Sequence, residues 1–198
     1  MTSKLFMRST FLMLSILLGL ASGLNALPLA GNYSVGGAGA DFLNFQAALN
    51  QLNSEGQSAD VSFILNAGSY EGPFIISRPG SEHDLIITAN GDAEVNLTNP
   101  YSSSENNYIL KINNNSKILI SKLKFLPAGT YARSIAVYGN SDELSFQNNV
   151  FLGAASTSSW NNEAISFIAD GNNDSDDISF ELNSFVGGGT HIYAYPNS

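Results

Sequence analysis

Apolar residues recur at helical spacing in one stretch near the start of the chain. The positions, separated by three, four and three residues, are Phe42, Phe45, Leu49 and Leu52. This spacing places them on one face of a helix. Asp41 is a good N-cap residue and Gly56 a suitable stop. The pattern therefore predicts one amphipathic helix over residues 41–55.

Beyond the helix, apolar positions alternate with polar ones, which is the period of a β-strand. Such short runs occupy residues 61–65, 74–76, 85–87 and 95–97. Gly, Pro, Asn or acidic residues separate each run from the next, as expected between short strands. The sequence therefore predicts an all-β architecture after the helix.

A phenylalanine recurs seven residues after the start of an apolar run. The same spacing leads from Ile118 to Phe125, from Leu144 to Phe151 and from Ile178 to Phe185. A unit of two or three such short strands cannot bury its apolar face alone, but units stacked about 4.8 Å apart cover one another. The repeat predicts a parallel β-helix, a solenoid whose open N-terminal end the helix would cap.

A β-sandwich is the alternative, because short strands at regular intervals also suggest that fold. Its hairpins would need tight turns, and Asn90-Gly91 and Asp170-Gly171 are suitable ones. The in-register phenylalanine repeat favours the solenoid, and both architectures remain open on the sequence alone.

The end of the chain resembles the middle of a repeat. Residues 191–198 share Ile, Tyr, Asn and Ser with residues 134–141 at matching positions. We expect one domain over residues 27–198, with coils over 61–198. We expect the last coil to be incomplete and the chain to be truncated or a fragment. An irregular tail over 188–198 is the alternative.

The first 26 residues read as a secretory signal peptide. Lys4 and Arg8 form a basic start, and residues 11–20 form an apolar stretch too short to span a bilayer. Cleavage would follow Ala21-Ser22-Gly23 or Leu24-Asn25-Ala26, and an uncleaved anchor is the alternative. We therefore expect a secreted or cell-surface protein without a transmembrane segment after cleavage.

Composition narrows the function classes. The absence of cysteine excludes a disulfide framework, a thiolate zinc site and a cysteine nucleophile. A sequence pI near 4.4 argues against nucleic acid as a partner, which would require a basic surface.

The N-terminal region resembles a known family. The segments that carry the resemblance are Gly31-Asn32-Tyr33-Ser34-Val35-Gly36-Gly37, Ala40-Asp41-Phe42, Val61-Ser62-Phe63 and Gly68-Ser69-Tyr70-Glu71-Gly72. They resemble the start of right-handed parallel β-helix proteins of the pectin-lyase type, above all exported surface proteins of Bacteroidota-like bacteria. The last segment also resembles the first coil of pectin methylesterases. The resemblance implies the fold and its handedness far more than an activity.

Enzymes of this fold generally work on an outward face of one sheet. The repeat predicts three outward columns: Leu119, Ser145 and Ser179; Ser121, Gln147 and Glu181; Lys122, Asn148 and Leu182. They offer one carboxylate and one nearby base, whereas a glycosidase needs two carboxylates. The catalytic residues therefore remain unknown, and the columns argue against a complete catalytic site.

An acidic loop is the candidate metal site. Asp170, Asp174 and Asp176 place oxygen ligands at alternating positions, and Glu181 follows Asp170 by eleven residues, as in a calcium loop. Ser175 occupies the position where such a loop has its turn glycine. A solvated acidic loop is the favoured interpretation, with calcium the cofactor of the alternative.

Basic residues are concentrated between positions 111 and 133. Lys122, Lys124 and Arg133, with Trp160 as a stacking surface, are the candidate contacts for an anionic glycan. A solvated face is the simpler interpretation of these charges. The leading hypothesis is a non-catalytic surface protein in adhesion or glycan contact. The alternative is the N-terminal part of a polysaccharide lyase, esterase or glycoside hydrolase.

Overall fold

The structure is a computed structural model. It describes residues 27–79, 82–100, 107–128, 133–153, 163–168, 176–187 and 190–194. The predicted signal peptide lies outside the described residues, so its assignment stays a prediction.

The described chain is mostly β, as the sequence predicts, with one helix near its start. The helix, α1, spans Phe45–Glu55. The strands are β1 Leu29–Val35, β2 Gln57–Leu65, β3 Gly68–Glu71, β4 Phe74–Ile76, β5 Leu85–Ala89, β6 Val95–Asn99, β7 Tyr108–Asn113, β8 Ile118–Ser121, β9 Lys124–Pro127, β10 Arg133–Tyr138, β11 Leu144–Gln147, β12 Val150–Leu152, β13 Glu163–Ile168, β14 Ile178–Glu181, β15 Ser184–Val186 and β16 Thr190–Ala194.

The strands form three sheets, and from β2 onward each sheet takes every third strand. The first sheet has the order β1-β2-β5-β8-β11-β14, the second β3-β6-β9-β12-β15 and the third β4-β7-β10-β13-β16. Every pairing between these strands is parallel. We call three successive strands, one from each sheet, a layer.

The β-sandwich alternative, in which hairpins would pair strands antiparallel, is wrong for the described strands. Asn90-Gly91 does form a turn, with Gly91 at φ 59°. However, the turn connects β5 to β6, and these strands belong to different sheets. The irregular tail is also wrong for Thr190–Ala194, because these residues form β16 beside β13.

The phenylalanine repeat is confirmed. Phe125, Phe151 and Phe185 are partners in the second sheet, and their rings are stacked with centroids 4.9 and 5.0 Å apart. In the first sheet, Ile118, Leu144 and Ile178 are partners in the same way. Inward positions therefore pile up along one continuous apolar core.

The helix begins later than the sequence suggests. Its N-cap is Asn44, whose side-chain oxygen accepts the N–H of Ala47 at 2.8 Å. The carboxylate of Asp41 is instead bonded to Ser34, so it does not cap the helix. Phe42 precedes the helix and bridges to Val35 of β1, a strand that the sequence analysis did not recognise. The predicted stop at Gly56 is confirmed.

The apolar face of α1 packs onto the first layer. Phe45, Leu49 and Leu52 are fully buried. The Phe45 ring lies 4.8 Å from that of Phe74 and 6.5 Å from those of Phe63 and Tyr70, centroid to centroid. Among the described residues, no helix is long and apolar enough to cross a membrane.

Candidate functional site

The outward face of the first sheet carries the columns that the sequence predicts. Leu119, Ser145 and Ser179 are paired across β8, β11 and β14, and so are Ser121, Gln147 and Glu181. Alternating inward residues of these strands enter the core, which fixes the outward direction of the columns. The third predicted column, Lys122, Asn148 and Leu182, shares a left-handed backbone with φ of 54–58° just after each strand.

A groove of about 190 Å³ lies on this face, across β5, β8 and β11. Its lining residues are Asp84, Leu85, Ile86, Lys117, Ile118, Leu119, Glu143 and Ser145. We call it the first-sheet groove. Its outward side chains form two groups. Residues within the strands form the floor, and charged residues just before the strands form the rim.

The floor combines aliphatic and hydroxyl groups. Ile86 and Leu119 are Cα partners, and both side chains are half-buried. Beside them the Ser145 hydroxyl bonds to that of Ser179 at 2.9 Å and accepts from Nε2 of Gln147 at 3.2 Å. The floor is therefore an aliphatic patch beside a run of interconnected polar groups.

The rim is formed by Asp84, Lys117 and Glu143, each one residue before its strand. Main-chain bonds between layers fix these positions, since the N–H of Leu85 donates to the Lys117 carbonyl at 2.9 Å. Lys117 and Glu143 have left-handed backbones, with φ of 56° and 53°. The Lys117 ammonium also donates to the Glu82 carbonyl at 3.3 Å. Asp84, Lys117 and Glu143 occupy equivalent backbone positions of three successive layers, which are about 4.8 Å apart.

This rim is not among the predicted site residues, although the repeat contained the signal. Lys117 and Glu143 precede Ile118 and Leu144, the residues that open two copies of the repeat. Extending each aligned copy by one residue toward the N-terminus would have identified both. Asp84 was harder to predict from the repeat, because β5 lies before the first recognised copy.

The predicted glycan contacts do not share one face. Lys122 is exposed at the corner after β8, and Lys124 lies on β9 of the second sheet, 3.4 Å from the Glu94 carboxylate. Arg133 opens β10 of the third sheet and is only 6% exposed. Trp160 lies outside the described residues. The charges are therefore distributed around the layers rather than gathered in one patch.

The predicted calcium loop is only partly described. Asp170 and Asp174 lie outside the described residues. Asp176 is exposed, and its N–H donates to Oδ1 of Asp142 at 2.8 Å, a bond between layers. Within the described part of the chain, no three acidic or histidine side chains are grouped to hold a metal ion. Calcium at this loop stays a prediction.

The chemistry of the first-sheet groove is limited to what its side chains supply. They offer an aliphatic contact surface, hydroxyl donors and acceptors, two carboxylates and one ammonium group.

No family model matches the chain, and neither a curated protein nor a solved structure matches it.

Proposed function

We propose that the three sheets are the faces of a right-handed parallel β-helix. The use of every third strand by each sheet supports this, because each turn of such a helix adds one strand to each face. The stacked rings of Phe125, Phe151 and Phe185 support it further, since coils in register superpose equivalent side chains. An experimental structure in which β2, β3 and β4 form a left-handed turn, or do not form one turn, would contradict the proposal.

We propose that the protein is an exported, non-catalytic module that contacts glycans through the first-sheet groove. The observation that carries this is the aliphatic pair Ile86 and Leu119 beside the Ser145 hydroxyl and the charged rim. A sugar ring offers an apolar C–H face edged by hydroxyl groups. The aliphatic pair can contact the C–H face, and the serine, lysine and carboxylates can bind the hydroxyl groups.

The size of the groove favours surface contact over enclosure. Its volume of about 190 Å³ is below the roughly 300–1,000 Å³ of cavities that enclose small molecules. The layers repeat along the stack, so the same face presents polar side chains in series above and below the groove. Contact with a polymer along this face fits both features. This module would therefore serve in adhesion or in holding a polysaccharide.

A glycan array tests the proposal with a matched pair of variants. Leu119→Asp places a charge on the groove floor, and Leu152→Asp places the same charge on a half-buried position in β12 of the second sheet. We expect the first variant to lose at least 90% of the binding signal and the second to retain it. Equal binding by both variants, or no glycan bound by the wild type, would contradict the proposal.

A polysaccharide-active enzyme is the second candidate function, and the rim favours it. Asp84 and Glu143 line the same groove, and a glycosidase works with two carboxyl groups that flank the scissile bond. Release of reducing ends or unsaturated products from polysaccharides, abolished by Asp84→Asn or Glu143→Gln, would establish this function. Binding without product release supports the non-catalytic proposal.

Export is part of the proposal and has its own test. The basic start and apolar stretch of the first 26 residues support it. Mass spectrometry of the protein recovered from the producing cells should place its N-terminus after Gly23 or Ala26. An intact Met1 on cytoplasmic material would contradict export.

A further inference from the structure

Two of the three sheets have their first strand covered by other parts of the chain. On β4, the Asn53 side chain of α1 donates from Nδ2 to the Ile75 carbonyl at 2.8 Å and accepts the Ser77 N–H at 2.9 Å. On β1, the N–H of Phe42 donates to the Ser34 carbonyl at 3.1 Å. These contacts satisfy backbone groups that an edge strand would otherwise leave open.

The first strand of the second sheet, β3, has a different environment. The N–H groups of Gly68 and Gly72 donate to the carbonyls of Glu94, just before β6, and of Thr98 in β6, at 3.0 and 2.8 Å. Because strand residues alternate in direction, Ser69 turns its N–H and C=O away from β6. Glu71 does the same. Within the described chain, β3 ends its sheet, so these groups lie on an open edge.

A groove of about 290 Å³ lies along β3. Its other wall is the start of α1, formed by Asn44, Phe45 and Gln46. Phe45, Tyr70 and Phe74 complete its lining, and Tyr70 is the most exposed of the three, at 9%. Glu71 is exposed at its rim and is the one charged residue among the described residues that line it.

The edge is held in place before any ligand arrives. The Tyr70 hydroxyl donates to the carbonyl of Val35 at 3.0 Å or of Asn66 at 2.8 Å, both of them within reach. Gly36 leaves room for this hydroxyl, since a Cβ at Gly36 would lie 2.1 Å from it. A preformed edge lowers the entropy lost when another strand pairs with it.

We propose that β3 binds an extended, basic peptide segment of a partner protein, which adds to the second sheet as an extra strand. The open N–H and C=O groups of Ser69 and Glu71 require extended backbone as their partner. The apolar part of the groove lining, with Tyr70 its most exposed aromatic residue, favours an apolar side chain on the inward side of that peptide. The Glu71 carboxylate selects a lysine or arginine beside it.

The expected affinity is modest. Two outward residues offer at most four main-chain hydrogen bonds, each of which contributes little after exchange with water. We therefore expect a Kd on the order of 10 μM to 1 mM for a single short peptide.

Fluorescence anisotropy with the full chain tests the proposal. The probe is a labelled hexapeptide of alternating lysine and valine. Its two controls carry methyl groups on the backbone nitrogens of the lysines or of the valines, because alternate N–H groups of a strand face opposite edges. We expect one of the two methylated peptides to bind at least tenfold more weakly than the probe, because methylation removes backbone donors while keeping charge and side chains. Equal affinity for all three peptides, or no binding at 5 mM peptide, would overturn the proposal.

Variants of β3 supply the second arm of the test. Ser69→Pro removes the outward N–H without touching the bonds to β6, and Ser69→Ala keeps it. We expect at least tenfold weaker binding for the proline variant and none of that loss for alanine. Should the proline variant fail to fold, the methylated peptides alone decide.

Glu71→Lys tests the charge separately. This variant should bind a glutamate–valine hexapeptide better than the lysine–valine one, reversing the preference of the wild type. If Glu71→Lys abolishes binding while Ser69→Pro leaves it intact, the peptide is held by charge alone and strand addition is wrong.

Discussion

Asn149 and Asn183 make the same pair of hydrogen bonds, each to the backbone of the layer before it. Oδ1 of Asn149 accepts the Leu123 N–H at 3.1 Å, and its Nδ2 donates to the Ile120 carbonyl at 2.9 Å. One layer further, Asn183 accepts the Asn149 N–H at 2.9 Å and donates to the Phe146 carbonyl at 2.7 Å. These amides satisfy main-chain groups at the corner between the first and second sheets, where the strand ladder is interrupted.

Asn149→Ala should therefore destabilise the protein strongly. The side chain is 1% exposed, so the substitution leaves a buried N–H and a buried C=O without partners. Each such group costs about 1–3 kcal/mol. Asn183→Ala is the matched control, and we expect a smaller loss because that side chain is only half-buried, so water can enter the space that it leaves. Urea denaturation measures both, and equal losses would contradict the argument.

The stacked phenylalanines predict a graded series. Phe151 lies between Phe125 and Phe185 and is fully buried, whereas Phe185 is only partly buried. Phe151→Ala should cost about 3–5 kcal/mol in unfolding free energy, as expected when a core ring leaves a cavity. Phe185→Ala should cost clearly less. A loss at Phe185 as large as that at Phe151, measured by chemical denaturation, would contradict the burial order.

The repeat explains why part of this fold could be predicted from the sequence. In a stack, equivalent positions meet their own copies, so a match such as Phe125 with Phe151 is also a contact between layers. The seven-residue spacing therefore gave the register and two complete outward columns. The later copies have an asparagine, Asn149 or Asn183, at the corner after the first strand of the copy. Leu123 occupies the equivalent position in the first copy.

Other features depend on contacts that have no period in the sequence. β1 contains polar residues and was not recognised, because its place is set by pairing with β2. Asp41 and Asn44 are both suitable N-cap residues, and the bond from Ser34 to Asp41 decides between them. Lys122 and Lys124 are two residues apart in sequence, but Lys122 lies at the corner after β8, whereas Lys124 lies on β9 of the second sheet.

Arg78 is a buried cation that joins separate layers. It is 4% exposed, and its Nε donates to Oδ1 of Asn115 at 3.1 Å. Its guanidinium also bonds to the Gln57 side chain and to the Ser116 carbonyl. Desolvation lowers the pKa of Arg78 to about 10, and the nearby Asp84 charge partly opposes this shift. Hydrogen bonds to neutral oxygens in β2 and in the turn before β8 thus offset the cost of desolvating the guanidinium.

Arg78→Lys should be more harmful than Arg78→Met. Lysine keeps the charge but cannot fork across Gln57, Asn115 and Ser116, and hydrogen bonds to charged groups contribute about 1.5–3 kcal/mol each. Methionine keeps much of the length while removing the cost of burying a charge. Thermal and urea unfolding of both variants would measure the difference. A lysine variant as stable as the wild type would show that the forked geometry is unimportant.

Asp41 gives the protein a pH-dependent contribution. Its Oδ2 accepts from the Ser34 hydroxyl at 2.7 Å and from the Ser34 N–H at 2.8 Å. The hydroxyl bond, followed by the backbone bond, lowers the pKa of this carboxyl below its ordinary value of 3.8. Because the folded pKa is lower than the unfolded one, the stabilisation is present above pH 3.8 and is lost as the pH falls through the folded pKa.

Comparison with Asp41→Asn isolates this contribution, since asparagine still accepts hydrogen bonds but carries no charge. The melting temperature of the wild type should exceed that of the variant at pH 6, and the gap should close as the pH approaches 2. Ser34→Ala removes the largest cause of the shift, so the stability that this variant loses on acidification should be smaller than the loss of the wild type. A gap between wild type and Asp41→Asn that stays constant from pH 6 to 2, or widens in acid, would show that the Asp41 charge does not stabilise the fold.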